Sequence, residues 1–314
     1  MAEVLTVQNT TAESPRERAS GHKSAVEASR DGLGVKPPRW LMSLIAVEGL
    51  YLFSTPFSPM GFKTGIQPID EQIPDGIPAG YVILVEGFLG VGKTFFASTM
   101  AATAAKAGAP VLFFSIDAMA DEVVEEMQRR GAPLERLVVV DGFAAPNERY
   151  SKLKPPARHR LETPDAFALM NKLAEFANEF RGGVVVVDSL NEVVMRSPGS
   201  ALDLFRAFKI FARSTDSMVV ATAHTDVEEV YGVMAAAEHL ADVILQIEVD
   251  PNLEEMGLYV RRMRIARAKR MKIAHDWIHF EIVDGRVVEI DVKTMLKMLN
   301  KQLRELGIEV RQER

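Results

Sequence analysis

The sequence predicts an α/β fold with a mostly parallel central sheet flanked by helices, antiparallel strands at its C-terminal edge and a C-terminal amphipathic helix. Three observations carry this expectation. The apolar run Tyr81-Val82-Ile83-Leu84-Val85 leads into Gly87-Phe88-Leu89-Gly90-Val91-Gly92-Lys93-Thr94 and then into a helix-forming stretch, the strand, loop and helix order of a phosphate-binding loop. The run Val184-Val185-Val186-Val187 ends in Asp188 and reads as a strand buried on both faces. From Gly80 onward, apolar runs of strand length alternate with helical periods, as in a parallel sheet wrapped by helices.

The elements follow in order. Residues 1 to about 38 are polar and rich in Pro, Ser, Gly and charge, which predicts disorder, and they carry no signal-peptide pattern. Trp40 to Phe53 is apolar but contains Glu48 and is too short to span a bilayer, so a docked helix or partner-binding segment is expected. The domain is read as 60–290, with 1–59 appended (an over-extended start site being one explanation) and 291–314 as a C-terminal helix and tail. Within it, a helix at about 93–107 precedes the strand Val111 to Ile116, and Asp121 to Arg130 reads as a helix closed by Gly131. After the strand Leu137 to Asp141, Thr163-Pro164-Asp165 opens a helix with a cap residue and a proline in its first position, with Phe167, Met170, Leu173, Phe176 and Phe180 on its apolar face.

Beyond the Asp188 strand come a helix at about 200–214, the strand Met218 to His224, a helix at about 226–238 and the strand Val243 to Ile247. Leu258 to Ala268 and Ile278 to Val283 read as antiparallel strands, and Asp284-Gly285 is a hairpin turn into Val287 to Ile290. Asp291 caps a last helix whose Met295, Leu299, Leu303 and Leu306 share a face. No internal repeat is evident, so one nucleotide-binding core is expected.

Composition sets limits. A chain of 314 residues can bury a large core, and its net charge of −6 argues against wholesale coating of nucleic acid. The absence of cysteine rules out disulfides and thiolate metal sites and suits a cytoplasmic protein. Of the six histidines only His275 and His279 are close in sequence, in a strand or loop setting that disfavours a metal site.

The chemistry concentrates at the phosphate loop. Glycines let consecutive backbone N–H groups point at one anion, and the following helix adds its positive end. Gly87, Gly90, Val91, Gly92, Lys93, Thr94 and Phe95 are therefore the candidate cofactor-binding residues. Lys93 would reach the β- and γ-phosphates, while the Thr94 hydroxyl and Asp188, at the carboxyl end of its strand, would hold Mg²⁺.

Further residues give these motifs a family. Thr64-Gly65-Ile66-Gln67-Pro68-Ile69-Asp70, the turn Asp75-Gly76-Ile77-Pro78-Ala79-Gly80, the phosphate loop and the Val-Val-Asp-Ser-Leu ending resemble the KaiC-like branch of the RecA superfamily, from about Lys63 to Ile290. The resemblance implies a RecA-like P-loop core that binds ATP with Mg²⁺ and often forms rings or filaments with ATP between subunits, hence a homo-oligomer.

Two departures qualify it. The family typically carries two adjacent glutamates after the second strand, one able to activate water; here Asp117-Ala118 stands there. Asp117 either orients water from a carboxylate withdrawn by one methylene or is a loop acid in a binding-only protein. Asp121 and Glu122 read as first-turn acids of the next helix.

The family's late Lys-x-Arg pair, which reaches a neighbour's γ-phosphate, corresponds to Lys269-Arg270-Met271-Lys272. Ungapped, Lys269 matches and Met271 replaces the arginine; with one deletion, Arg270 and Lys272 take the places in exchanged order. Both departures point to slow hydrolysis or a switch role. Around them Arg261, Arg262, Arg264, Arg267, Lys269, Arg270 and Lys272 include no acid. Simple alternation puts Arg262, Arg264, Arg270 and Lys272 on one side and Arg261, Arg267 and Lys269 on the other. Subunit-interface and phosphate contacts are the favoured use, ahead of nucleic acid and of a solvated edge.

His224, with Thr222 and Thr225, is a candidate γ-phosphate relay; the alternative is a histidine satisfied by a strand-end carbonyl. Three readings of function follow, in order: a homo-oligomeric KaiC-like ATPase, an ATP-binding regulatory switch with negligible turnover of the archaeal motility type, and a RecA-type DNA-repair accessory protein binding single-stranded DNA. A protein partner fits the first two.

Overall fold

A computed structural model of the chain describes residues 61–144 and 159–305. The expectations for 1–59, including the Trp40 to Phe53 segment, for the Leu303 side chain, for Leu306 and for the tail to 314 lie outside the described residues. The strands are β1 (Val82–Gly87), β2 (Val111–Ser115), β3 (Leu137–Asp141), β4 (His159–Arg160), β5 (Val184–Asp188), β6 (Met218–His224), β7 (Val243–Val249), β8 (Arg261–Ala268), β9 (Ile278–Val283) and β10 (Arg286–Glu289). They form one sheet in the order β10-β9-β8-β7-β1-β6-β5-β2-β3-β4. From β7 to β4 every pairing is parallel, and from β7 out to β10 every pairing is antiparallel. The expected fold class, the antiparallel edge included, is the observed one.

Alternation along each strand feeds two cores. Val82 and Leu84 of β1 face one, with Leu169, Phe205, Phe208 and Phe211 from the helices Ala166–Phe176 and Ala201–Thr215; Ile83 and Val85 face the other, with Phe96 and Met100 from the helix Lys93–Lys106. Every residue of β1, β2 and β5 is buried, which is why these segments read as unbroken apolar runs. The edge hairpin turns at Asp284 (φ 49°) and Gly285 (φ 72°), both left-handed as a tight two-residue turn requires.

Three local expectations are corrected. In the helix Ala166–Phe176 the cap is Asp165, whose carboxylate accepts from the Ala168 N–H at 2.8 Å, so Pro164 precedes the cap and is not the first helical residue. That shift turns Phe167 to solvent at 59% exposure and buries Leu169 in its place. The strand expected from Leu258 starts at Arg261, because Pro251–Glu255 forms a short helix capped by Asp250. The β7–β8 pairing also slips at Ile244/Leu245, so Arg267 pairs with Ile244 while Arg264 pairs with Gln246. This bulge shifts the alternation and puts Arg267 on the same face as Arg262 and Arg264.

The Thr64-to-Asp70 segment is a turn closed onto the short helix Gln67–Gln72. The Asp70 carboxylate accepts from the Thr64 N–H and hydroxyl, both at 2.8 Å, and from the Gly65 N–H at 2.9 Å. Gly65 has φ 73°, and a Cβ there would lie 2.0 Å from Thr103 Oγ1 on the phosphate-loop helix. The segment thus packs on the helix that carries Lys93.

A polar ladder crosses the sheet beside the phosphate loop. Arg264 Nε donates to Gln246 Oε1 at 2.8 Å, and Gln246 Nε2 donates to Glu86 Oε1 at 2.7 Å. Burial raises the Glu86 carboxyl from 4.5 to about 7, with Glu238 adding to the rise and Gln246 and Arg264 opposing it. The folded chain therefore holds this proton at pH values where the unfolded chain has released it, and stability falls as pH rises from about 4.5 through about 7. In denaturant titrations from pH 5 to 8, wild type should lose about 1–3 kcal/mol more than Glu86→Gln; parallel pH profiles would show that Glu86 titrates normally.

Candidate nucleotide-binding site

The loop between β1 and the helix Lys93–Lys106 turns at Gly87 (φ 156°), Gly90 (φ 80°) and Gly92 (φ 108°). A Cβ on Gly87 would stand 2.0 Å from the Ile247 carbonyl oxygen, so close approach of β7 demands glycine there. Lys93 is only 4% exposed. Its Nζ donates to the Phe88 carbonyl at 2.6 Å and to His224 Nδ1 at 3.1 Å. Burial lowers its pKa from 10.5 to about 8, while Asp226, Asp188 and Asp117 pull it back up.

Sheet order brings the acids to this ammonium. Asp188 ends β5 and is buried; it accepts from the Thr222 hydroxyl at 2.5 Å and hydrogen-bonds the Thr94 side chain. Burial raises its pKa against those two hydrogen bonds. The Ile116 and Asp117 N–H groups both donate to the Asp188 carbonyl, at 2.7 and 3.2 Å, which fixes Asp117 just beyond β2. Burial acts to raise the Asp117 pKa, but hydrogen bonds from His224 and Ser189 and the charges of His224 and Lys93 hold it below the usual value. Glu122, by contrast, accepts from the Met119 N–H at 2.9 Å as the helix's own first-turn acid.

His224 lies between these groups, with Nε2 3.6 Å from Asp117 Oδ2. An ammonium can only donate, so Nδ1 accepts from Lys93 and the ring proton sits on Nε2, toward Asp117. The backbone of His224 is held by Asn191, whose side chain accepts the His224 N–H at 2.7 Å and donates to the His224 carbonyl at 3.3 Å. The ring nitrogens face Lys93 and Asp117 and not a strand-end carbonyl. Lys93, Thr94, Asp117, Asp188 and His224 all converge.

Two members of the cluster were not legible in the sequence. Asn191 sits in the helix Leu190–Arg196, which no periodic run announces in so short a stretch. Asp226 accepts from the Leu89 N–H of the phosphate loop at 3.2 Å; its position two residues beyond His224 was the only signal. Among the described residues no group of three or more His, Asp or Glu surrounds one point as a metal cage. The Thr94 and Asp188 pair suits Mg²⁺ instead, since that ion takes one or two protein oxygens and fills its shell with phosphate and water.

Phe95 faces a neighbouring cavity of about 820 Å³, walled also by Thr99, Glu126, Arg129 and the β9–β10 hairpin, with the Arg130 guanidinium 4.3 Å from the Phe95 ring centre. Lys269 and Arg270 are not part of this cluster. The Lys269 N–H donates to the Asp242 carbonyl at 2.8 Å and its carbonyl accepts from Tyr81 at 3.0 Å, at the amino end of β1, a strand length of roughly 17 Å or more from the loop. Of the other cations, Arg261 pairs with Glu281, Arg262 with Glu248 and Asp250, and Arg264 with Gln246. His279 binds Asp250 at 2.7 Å.

Comparison with known proteins agrees with this arrangement. The family model of the KaiC ATPase matches residues 62–295. The UPF0273 protein of Aeropyrum pernix is 26% identical over 242 residues, covering 72% of this chain and 92% of its own length; that of Pyrococcus horikoshii is 26% identical over 210 residues, covering 64% and 84%. The circadian clock oscillator protein KaiC 1 of Synechocystis is 24% identical over 233 residues, 69% of this chain but only 43% of that protein. The crystal structure of a KaiC-like protein from Pyrococcus horikoshii superposes with a TM-score of 0.55 at 19% identity, covering 73% of this chain and 97% of that one, and shows the same fold. With its phosphate loop, its strand-end aspartate and a match spanning most of its length, the chain belongs to the KaiC family of RecA-type nucleotide-binding ATPases.

Proposed function

We propose that the chain binds Mg-ATP at the phosphate loop and hydrolyses it slowly at the interfaces of a homo-oligomer. The observation that carries this is the convergence of Lys93, Thr94, Asp117, Asp188 and His224 at the carboxyl ends of four adjacent strands. Loop amides and Lys93 hold the β- and γ-phosphates, and the nucleoside extends past Thr94 toward the cavity at Phe95. Thr94 and Asp188 hold Mg²⁺, which when bound neutralises phosphate charge. Asp117 orients the water that attacks the γ-phosphorus as the bond to the ADP oxygen breaks. His224 links that acid to Lys93, so one side chain reads both the phosphate and the water-orienting acid.

The oligomer rests on two features. Lys269 and Arg270 lie at the opposite end of the sheet from their own loop, so a γ-phosphate they touch belongs to a second copy. Phe88 and Leu89, on the loop itself, are 57% and 73% exposed, and covering each stabilises an interface by about 1–2 kcal/mol. No described helix is long and apolar enough to cross a membrane; a cytoplasmic location is part of the same reading. The second reading, a switch with negligible turnover, is favoured by Asp117 itself, which is a methylene short and already engaged by His224 and Ser189.

Three measurements decide. Lys93→Ala removes the loop's cation and should weaken Mg-ATP binding at least 100-fold in calorimetry; wild-type affinity in the variant places the site elsewhere. Asp117→Glu should raise phosphate release, and Asp117→Asn should lower it about 100-fold or more with ATP binding kept. Negligible turnover in all three proteins establishes the switch, and unchanged hydrolysis in Asp117→Asn refutes the assigned acid. Light scattering with and without Mg-ATP should show a multimer, and a monomer at all concentrations with full ATPase activity would exclude the trans cations.

A further inference from the structure

Asp226 is a carboxylate built into the mouth of the phosphate loop. Its Oδ2 accepts from the Leu89 N–H at 3.2 Å, its Oδ1 is 3.9 Å from His224 Nδ1, and it is the foremost charge acting on Lys93. The segment that carries it is fastened to the loop strand, the Thr225 N–H donating to the Gly87 carbonyl at 3.2 Å. It leads directly into the helix Glu228–Glu238, whose far end returns to the same strand where Glu238 hydrogen-bonds Glu86. The side chain is 37% exposed, whereas Lys93 is 4% exposed.

The charge balance gives this contact a consequence. Asp117, Asp188 and Asp226 all act on the single ammonium of Lys93. Asp188 ends β5 and Asp117 follows β2, whereas Asp226 holds a backbone amide of the loop itself while its charge acts on the ammonium that would meet a terminal phosphate. A carboxylate and a phosphate brought close together in a partly exposed site repel, which alters binding on the order of 10- to 100-fold. A diphosphate ends one phosphoryl group earlier and meets Asp226 less.

We propose that Asp226 sets the di- against triphosphate selectivity of the site, its carboxylate holding the Leu89 amide and having to be displaced when a terminal γ-phosphate occupies the loop. The inference rests on the nucleotide-binding reading given above. Displacement removes one of the two ties between this segment and the loop, the Thr225 N–H bond to Gly87 remaining, and so loosens the start of the helix Glu228–Glu238 while Glu238 keeps its end on Glu86.

The test measures Mg-ATP and Mg-ADP affinity of the full chain by calorimetry for wild type, Asp226→Asn and Asp226→Ser, with thermal melts to verify folding. Both variants should bind Mg-ATP about 10-fold or more tighter than wild type, with Mg-ADP changed less than about threefold. In wild type, backbone hydrogen exchange across 225–238 should rise with Mg-ATP relative to Mg-ADP, a difference that the variants lose. Equal changes for both nucleotides, or weaker Mg-ATP binding in both variants, would overturn the proposal and make Asp226 a brace of the loop or a metal-shell group. A wild-type chain that binds neither nucleotide overturns the phosphate-loop reading itself.

Discussion

The parallel register of β1, β6, β5 and β2 is the constraint on which the rest depends. Gly87 pairs with His224 across β1 and β6, Val187 with Ala221 across β5 and β6, and Asp188 with Ser115 across β5 and β2, so all four strands finish at the same end of the sheet, β1 and β6 two residues beyond β5 and β2. Neighbouring strands are about 4.8 Å apart, which brings side chains from four distant stretches of chain within one polyphosphate's reach. The buried valines of β5 and the aliphatic faces of β1 hold that register. Each contributes about 1.5–3 kcal/mol by leaving water, and a slip of one residue would turn every core side chain to the wrong face.

Electrostatics then decides what the shared edge can do. Lys93 is buried where its charge is costly, and Asp117, Asp188 and Asp226 return part of that cost. The cluster binds its own cation with more carboxylate than it needs. That surplus leaves negative charge for a further cation to offset. Lys93 contacts the His224 imidazole and Asn191 clamps the His224 backbone.

The basic stretch at β8 shows how a charge count can mislead. Arg261, Arg262 and Arg264 are engaged by Glu281, by Glu248 and Asp250, and by Gln246, while Trp277 lies 4.5 and 4.4 Å from the Arg262 and Arg264 guanidinium carbons. These partners come from β7, its following helix cap and β9, which antiparallel pairing lays alongside. Beyond the strand, Lys269 lies 3.8 Å from Asp242 at the other end of the sheet, and Arg270 takes φ 60° in the turn that follows.

Local patterns were enough for the strand, loop and helix of the phosphate site, for the buried Asp188 strand and for the Asp284-Gly285 hairpin. Each depends on spacing within a few residues: glycine where φ is positive, unbroken valine where both faces are covered, an acid at a strand end. The Phe167 face, the late start of the β8 strand and the parity of Arg267 were misread because one cap, one short helix and one bulge moved the phase, and a phase error reassigns every later side chain. Tertiary structure alone decided that His224 lies against Lys93, that Asn191 holds its backbone, that Asp226 bonds the Leu89 amide of the loop and that Lys269 stands at the far end of the sheet. Those facts follow from strand order. Order is set by which apolar faces pack together across the whole domain, and that choice leaves no mark on the spacing of neighbouring residues.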